Sequence, residues 1–586
     1  MSDAKSVLRR NWLLEAALAI SAGIFFLMTI QEVTMDRLKV VFLFWCAVCC
    51  GIAALKLGEK VRRTTLVEKI VGVVVAGKIS YEYRDRVYED WRDFYTIKRI
   101  LGRFPFGEEQ TLKAISTLAA IAAMLFVGAV TAYIINLFVQ TVALIDWKKF
   151  LLEAHQEING RTILLGIGNL LLGVGIGTIL LMGVYLLPIE PINRHMKESA
   201  EQLQKEGPYP EVFSWCTSQL DNYTDALILS TAADDNTEQT LLNRAMEAYS
   251  IEIEEAKNAV ERMSMYYLEG KPFDYEDGYA RYWHGYQIFV RPLLVLLNYH
   301  EIRILNGIVQ FILCLVVCWL LKKNGKISYI VPYLIVYLML GPVILAKSLQ
   351  YSSCYYVYTM GTIMVLVLTD KKKTAKLGFC FLNIGIATAY FDLLTYPIAT
   401  LGIPLLVAIV LDAASKPEEK MVHAGKNILC WGAGYAGMWS MKWGAATILT
   451  GDNVIQSAKN NAAFRMSSGY QEQKFTMLGC IEKNINNFVS TPFVIIFIVF
   501  LLFAFLWVRT HRKENLRKEN LVLFLTISLF PLIWYRLLLN HSTIHGWFTY
   551  KACAVSLLAI EFMAMELIES KKTVRNDRIL NPQKEP

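Results

Sequence analysis

Five separate segments of the chain hold acids and bases of the kinds that move protons or grip phosphates. QLDNYTDA carries Asp221 and Asp225, four residues apart, and a carboxylate there could take the proton from an acceptor hydroxyl. RYWHGYQIFVRP carries Arg281, His284 and Arg291, YFDLLTYP carries Asp392, and GYAGMWSMKWG carries Lys442. RLLLNHSTIHGWFTYK adds Arg536, His541, His545 and Lys551. Such cations could hold an anionic group, and the imidazoles could orient a donor or acceptor.

Each group also has a plainer reading. Asp221 and Asp225 could be the polar face of a surface helix. Asp234 and Asp235 in AADDNTE read as a solvated turn leading into a helix. His541 and His545 have the spacing of two metal ligands on one helix face, but HSTIH lacks the glutamate of HExxH. No metal or other cofactor is therefore expected, and a divalent ion is not indicated. Lys442 could snorkel to headgroups, and Trp283, Tyr286, Trp547 and Tyr550 could form an interfacial aromatic belt. Asp392 resists such an explanation, because an acid at a span end needs a partner such as Lys442 or Arg281 to stay ionised.

The elements that must position these groups are membrane spans. Of the 586 residues 55% are hydrophobic and only 19% charged, with a mean hydropathy of +0.37, too apolar for a soluble chain of this length. The net charge of +8 does not point to nucleic acid, because Lys and Arg cluster in short stretches between apolar runs and so mark the cytoplasmic side. Lys322, Lys323 and Lys326, Lys371 to Lys373 with Lys376, Arg509 to Lys518, and Lys571 to Arg578 are such clusters. Between them lie apolar runs near 162–187, 304–321, 328–346, 355–369, 377–393, 396–412, 427–447, 491–508, 521–538 and 552–568. Spans near 11–30 and 39–56 and a long run at 115–145 precede them, which makes about 12–13 spans of roughly 20 residues each.

That alternation predicts an all-α, polytopic transmembrane helix bundle with a large, helical first exterior loop at about 190–303. All five chemistry-bearing segments then meet on the exterior face. The chain divides into an N-terminal membrane region at 1–160 with a basic cytoplasmic loop, a core at 161–570, and a polar cytoplasmic tail at 571–586, expected to be disordered. The topology of the first part stays open, since a single crossing at 115–145 would invert everything after it. Cys46, Cys49, Cys50, Cys314, Cys318, Cys380, Cys430 and Cys553 fall inside apolar runs and read as small core residues. No Walker loop, GxGxxG or GxSxG pattern occurs, and no cytoplasmic segment is long enough for a nucleotide-binding domain. An activated donor would have to arrive through the lipid.

With these segments in place the chain resembles the GT-C class of membrane glycosyltransferases. More narrowly, QLDNYTDA, YARYWHGY, YFDLLTYP and NHSTIHGWFTYK resemble segments of polytopic proteins of Gram-positive bacteria linked to surface-polysaccharide assembly. The resemblance covers about 162–568, though the acid motif lies farther from the first span than in better-known members and about 160 residues precede that span. It implies a bacterial plasma-membrane enzyme moving a sugar from a polyprenyl-phosphate donor to a cell-envelope glycan or lipid acceptor. In that reading Asp221 is the base, with Asp225 as the second choice. Arg281, Lys442, Arg536 and Lys551 would meet the lipid phosphate, and His284, His541 and His545 would orient the substrates. A transporter or flippase for lipid-linked saccharides, or a non-catalytic assembly partner, would carry some of the same features; a transporter should also show internal repeats and charges at mid-membrane depth.

Overall fold

The computed structural model describes residue 148 and residues 160–580, apart from 215, 277–278, 414–416, 472 and 511–517. The expected spans at 11–30, 39–56 and 115–145 lie outside the described residues, as do Arg512, Lys513 and Arg517. The described residues belong to one compact unit, 145–586.

The chain is mostly helical. Helix α1 (Gly160–Val184) is apolar on every side, yet among its residues only Gly177 and Leu181 are buried, and Leu164 is 70% exposed. A helix that is hydrophobic all round and unburied by protein requires lipid as its solvent. The long stretch between α1 and the next span folds into short helices, α2 (Ile189–Glu206), α3 (Asn222–Ala232), α4 (Leu241–Glu247), α5 (Ala259–Tyr267) and α6 (Gln287–Leu296). Helix α2 is amphipathic: Ile192, Met196, Ala200 and Leu203 recur at helical spacing and are fully buried against this layer. A two-stranded antiparallel sheet, β1 (Ser250–Glu252) with β2 (Asp274–Glu276), pairs Ile251 with Tyr275; nothing in the residue pattern had suggested it.

The membrane-facing part follows. Helix α7 (Tyr299–Lys323) opens with a capping box between Asn298 and Glu301 and closes on Lys322 and Lys323, the cationic end favoured by the helix dipole. The apolar run at 328–346 is not one span. It breaks into α8 (Ile330–Met339) and α9 (Pro342–Lys347) at Gly341, whose φ of 72° only glycine adopts freely. Helices α10 (Leu349–Asp370), α11 (Leu377–Phe391) and α12 (Ile398–Leu411) come next. All of α12 but Leu411 is buried, so it is a core element rather than a lipid-facing one.

Helix α13 (Pro417–Thr450) runs against α11 along a glycine seam. A Cβ on Gly385 would stand 2.1 Å from the Trp431 carbonyl oxygen, and one on Gly434 would stand 2.1 Å from that of Leu382. The two backbones therefore touch directly, a small-residue packing suited to lipid, where van der Waals fit must replace the hydrophobic effect. Helix α14 (Val454–Met466) leads to α15 (Met477–Val489) and α16 (Val494–Thr510), which meet at a 93° bend. Helices α17 (Lys518–Ser528) and α18 (Phe530–Leu537), short helical turns over 539–549, and α19 (Cys553–Leu580) complete the chain. The helix of α19 continues into the expected tail as far as Leu580; no Gly or Pro interrupts it until Pro582.

Among the described residues five helices are long and apolar enough to cross a membrane: Gly160–Val184, Tyr299–Lys323, Leu349–Asp370, Thr374–Phe391 and Glu519–Leu537. The bent pair α15 and α16 would make a sixth. These helices make the chain a multi-pass membrane protein by length and composition.

Candidate functional site

The two acids of QLDNYTDA fall on the first turn of α3 and do different work. Asp225 is fully buried, and each of its oxygens is used twice. Oδ2 accepts from the Tyr299 hydroxyl at 2.5 Å and from the Leu349 N–H at 2.9 Å; Oδ1 accepts from the Gln350 N–H at 3.0 Å and the Ser348 hydroxyl at 3.4 Å. An ionised carboxylate has about four acceptor sites, so none is left for a substrate. Asp225 closes the N-terminus of α10 from another element, where the orphan N–H groups and helix dipole favour an anion. Arg303 completes this network, bonding Tyr299 at 2.9 Å, Asn222 at 2.9 Å and both oxygens of Glu206.

Asp221 is the N-cap of α3, with Oδ1 accepting from the Thr224 N–H at 3.0 Å. Its hydrogen-bond partner Thr224 belongs to its own helical turn, which leaves acceptor capacity that Asp225 lacks. Burial pushes its carboxyl up to about 6, opposed by the Thr224 bonds and helped by Asp225. Its charge is felt by Tyr209, itself pushed up to about 12 by burial first and Asp221 second.

From Asp221 an aromatic surface leads to the histidines. Tyr209 is 46% exposed; its ring stacks with Tyr223 at 6.2 Å and meets the edge of Trp547 at 6.0 Å. Trp547 meets His545 at 5.1 Å, and His545 lies 4.8 Å from His541. His541 is pinned: Arg465 can only donate, so Nδ1 accepts from it at 2.8 Å, and Nε2–H donates to the Leu394 carbonyl at 2.8 Å. That fixes the neutral tautomer, in line with burial and then Arg465 holding the ring well below its usual range. His545 is pushed down to about 4 by burial, Arg465 and Lys483, and its Nδ1, like Trp547 Nε1, is buried with no partner.

Lys551 is fully buried above Tyr550 at 4.2 Å and Tyr351 at 5.0 Å, with one hydrogen bond, to the Tyr550 hydroxyl at 2.7 Å. Burial pushes it down to about 7, and it forms no ion pair among the described residues. The Tyr351 hydroxyl also donates to the Gln219 carbonyl at 3.1 Å, two residues before Asp221, so this tyrosine ties the lysine to the acid's segment. Asp392 is held otherwise than expected. Both its oxygens accept from the Thr395 N–H, at 3.1 and 3.0 Å, and it has no ion pair with Lys442, Arg281 or any other cation among the described residues. Backbone N–H groups replace the cation, and the turn they build gives Leu394 a φ of 63° and aims its carbonyl at His541.

The residues of YARYWHGY form a clamp instead of an open site. Both His284 nitrogens are used: Nδ1 bonds the Tyr286 hydroxyl at 2.5 Å, and Nε2 the Tyr279 carbonyl at 2.9 Å. Burial pushes this ring down to about 3. Trp283 donates to the Met438 carbonyl at 2.8 Å, and Lys442 lies 5.2 Å from its ring while donating to the Met246 carbonyl at 2.7 Å. Gly285 sits so close to Tyr390 that a Cβ would stand 2.2 Å from that ring. Arg281 bonds Ser457 at 3.1 Å over the Tyr279 ring. Arg291 donates to the carbonyls of Ala232 and Asp234, closing the C-terminus of α3, while Asp234 pairs with Arg244 at 2.7 Å. Arg536 stands apart, exposed on α18 beside the exposed Ile533 and Leu537.

Asp221, Lys551, His545 and His541 are thus joined through aromatic contacts, whereas Asp225, His284 and Lys442 are structural and Arg536 is remote. Arg465 and Lys483 belong to the assembled surface and were not singled out from the sequence; a lone cation in a polar loop carries no spacing signal. Among the described residues no group of three His, Cys, Asp or Glu could hold a metal ion. No protein-family model, curated protein or solved structure matches the chain.

Proposed function

We propose that the protein transfers a sugar from a polyprenyl-phosphate donor to a cell-envelope glycan or lipid acceptor, at the exterior face of a bacterial plasma membrane. The observation that supports this best is a carboxylate poised near neutrality on an aromatic surface that ends in unsatisfied polar atoms beside cations. Asp221 takes the acceptor proton; Tyr209, Tyr223 and Trp547 offer faces for sugar rings; His545 Nδ1 and Trp547 Nε1 offer hydrogen bonds. Arg465, Lys483 and Lys551 carry the charge left on the departing phosphate. Membranes containing the protein and a radiolabelled polyprenyl-phosphate sugar should form labelled glycan or glycolipid; absence of transfer across a panel of such donors overturns the reading.

The pH dependence follows from the two shifted groups. Asp221 must be ionised to act, so the rate falls as pH drops through about 6, and Lys551 must be charged, so it falls again as pH rises through about 7. The expected kcat/KM profile is a narrow bell, and Asp221→Asn should abolish its acid limb. Folding stability moves oppositely for the acid. With a folded value above the ordinary 3.8, the stability Asp221 contributes is complete below about pH 4 and lost as pH rises through about 6.

One observation favours a transporter as the second reading. Glu561, in the apolar part of α19, is fully buried with neither carboxyl oxygen partnered, and intramembrane acids commonly mark proton or substrate paths. An unpartnered buried group costs about 1–3 kcal/mol, so Glu561→Leu should raise the melting temperature. In the transferase reading sugar transfer survives that substitution; in a proton-coupled transporter the substitution abolishes export of lipid-linked saccharide from vesicles.

A further inference from the structure

Helices α1, α11 and α13 line an apolar groove of about 390 Å³ that shares no residue with the site described above. Ile163, Gly166 and Leu170 form one wall, Gly378 and Leu382 another, and Leu429 is part of the third. The lining of α1 runs from Thr162 to Leu170, so the groove is about 12 Å long at 1.5 Å per residue. Its two ends differ in chemistry. Leu170, Leu382 and Ala433 close one end; at the other stand Thr162 and Lys426, with Ala375 between the exposed Thr374 and Lys376.

Three elements bring cations to that second end: Lys426 on α13 lines it, and Arg161 on the first turn of α1 and Lys376 just before α11 are the chain neighbours of the lining residues Thr162 and Ala375. Lys426 lies along α11, since a Cβ on Gly378 would stand 2.9 Å from its Cε. The glycines leave the wall flat: at Gly166 a Cβ would meet only Leu382, at 3.9 Å. An apolar groove on a span helix with cations from three elements at one end is complementary to one kind of ligand.

We propose that this groove binds a phosphate-headed membrane lipid, one acyl chain lying between α1 and α11 and the phosphate meeting Arg161, Lys376 and Lys426. The site is independent of the transfer reaction, and its Lys376 belongs to one of the basic clusters that mark the cytoplasmic side in the sequence. Full-length protein, delipidated in detergent, is mixed with equal amounts of phosphatidylglycerol and phosphatidylcholine and the retained lipid measured by native mass spectrometry. Phosphatidylglycerol should be retained in preference, by roughly fivefold per cation engaged. Arg161→Gln with Lys376→Gln should remove most of that preference at an unchanged melting temperature, because both side chains are exposed. Gly166→Trp fills the groove and should lower retention of both lipids. Equal retention of the two lipids by the unaltered protein overturns the proposal, and so does phosphatidylglycerol retention that survives Gly166→Trp.

Discussion

Asp221→Asn should lower turnover by at least about 100-fold while leaving expression, membrane insertion and donor affinity close to normal. Asparagine keeps the side-chain oxygen that caps α3 through Thr224 and is as good an N-cap as aspartate, so the fold has no reason to change. What disappears is the proton acceptor, and general-base catalysis typically contributes 10²- to 10⁴-fold. Equal loss in kcat and kcat/KM would mark an interaction made only in the transition state. Asp225→Asn provides the contrast. It puts an NH₂ donor among four donors, and removing one partner of a buried charged network costs about 3–5 kcal/mol. Its expected signature is lost folded protein rather than lost turnover in intact protein. Normal turnover in Asp221→Asn would leave the transferase reading without a base on this loop.

Gly434→Ala, like Gly385→Ala on the facing helix, should be a severely damaging single methyl, whereas Gly432→Ala, two residues away, should be harmless. At Gly434 the new carbon lands 2.1 Å from a backbone carbonyl oxygen of α11, which no side-chain rearrangement relieves; at Gly432 nothing lies within 4 Å. Separating α11 from α13 by the ångström or more required would unpack their seam, a loss above the 4–5 kcal/mol that marks an exceptional substitution. Half-buried Gly432, with open space around its Cα, gains the roughly 1 kcal/mol by which alanine surpasses glycine in a helix. Thermal unfolding in detergent separates the two: folded protein should be nearly absent for the first and slightly stabilised for the second. Similar melting temperatures would show that the backbones do not touch.

These two substitutions also show what the residue pattern could and could not reveal. Hydropathy and basic clusters were enough to predict α1, α7, α10 and α11, because a run near 20 apolar residues has few other destinations. They misjudged 328–346, where Gly341 looked like one more small residue in an apolar run and in fact breaks the helix. The glycine seam was invisible, because NIGIATA and GAGYAGM do not say which helix each faces. At the site, the apolar–polar stretch around Asp221 marked it as a candidate acid, while its place as the N-cap of α3 appears only in the structure. Asp225 looked equivalent, since spacing within one helix says nothing about Leu349 and Gln350, more than a hundred residues later, which consume its lone pairs. Asp392 seemed to require a cation, but two bonds from one backbone N–H served instead. Arg465 and Lys483 gave no signal at all, being single charges whose importance arises only from where α14 and α15 pack.

The bond from Asp225 to the start of α10 has a reciprocal consequence. Whatever binds the outer layer and holds α3 in place must also tighten the first turn of a membrane-embedded helix, and by linkage a tighter α10 must favour that binding by the same factor. The Leu349 and Gln350 amides are the natural reporters, since both donate to this one carboxylate. Their hydrogen–deuterium exchange should slow when an acceptor occupies the Asp221 surface, although neither residue touches it. A carboxylate lent by one layer to another thus makes occupancy of the short-helix layer readable at the start of a span helix.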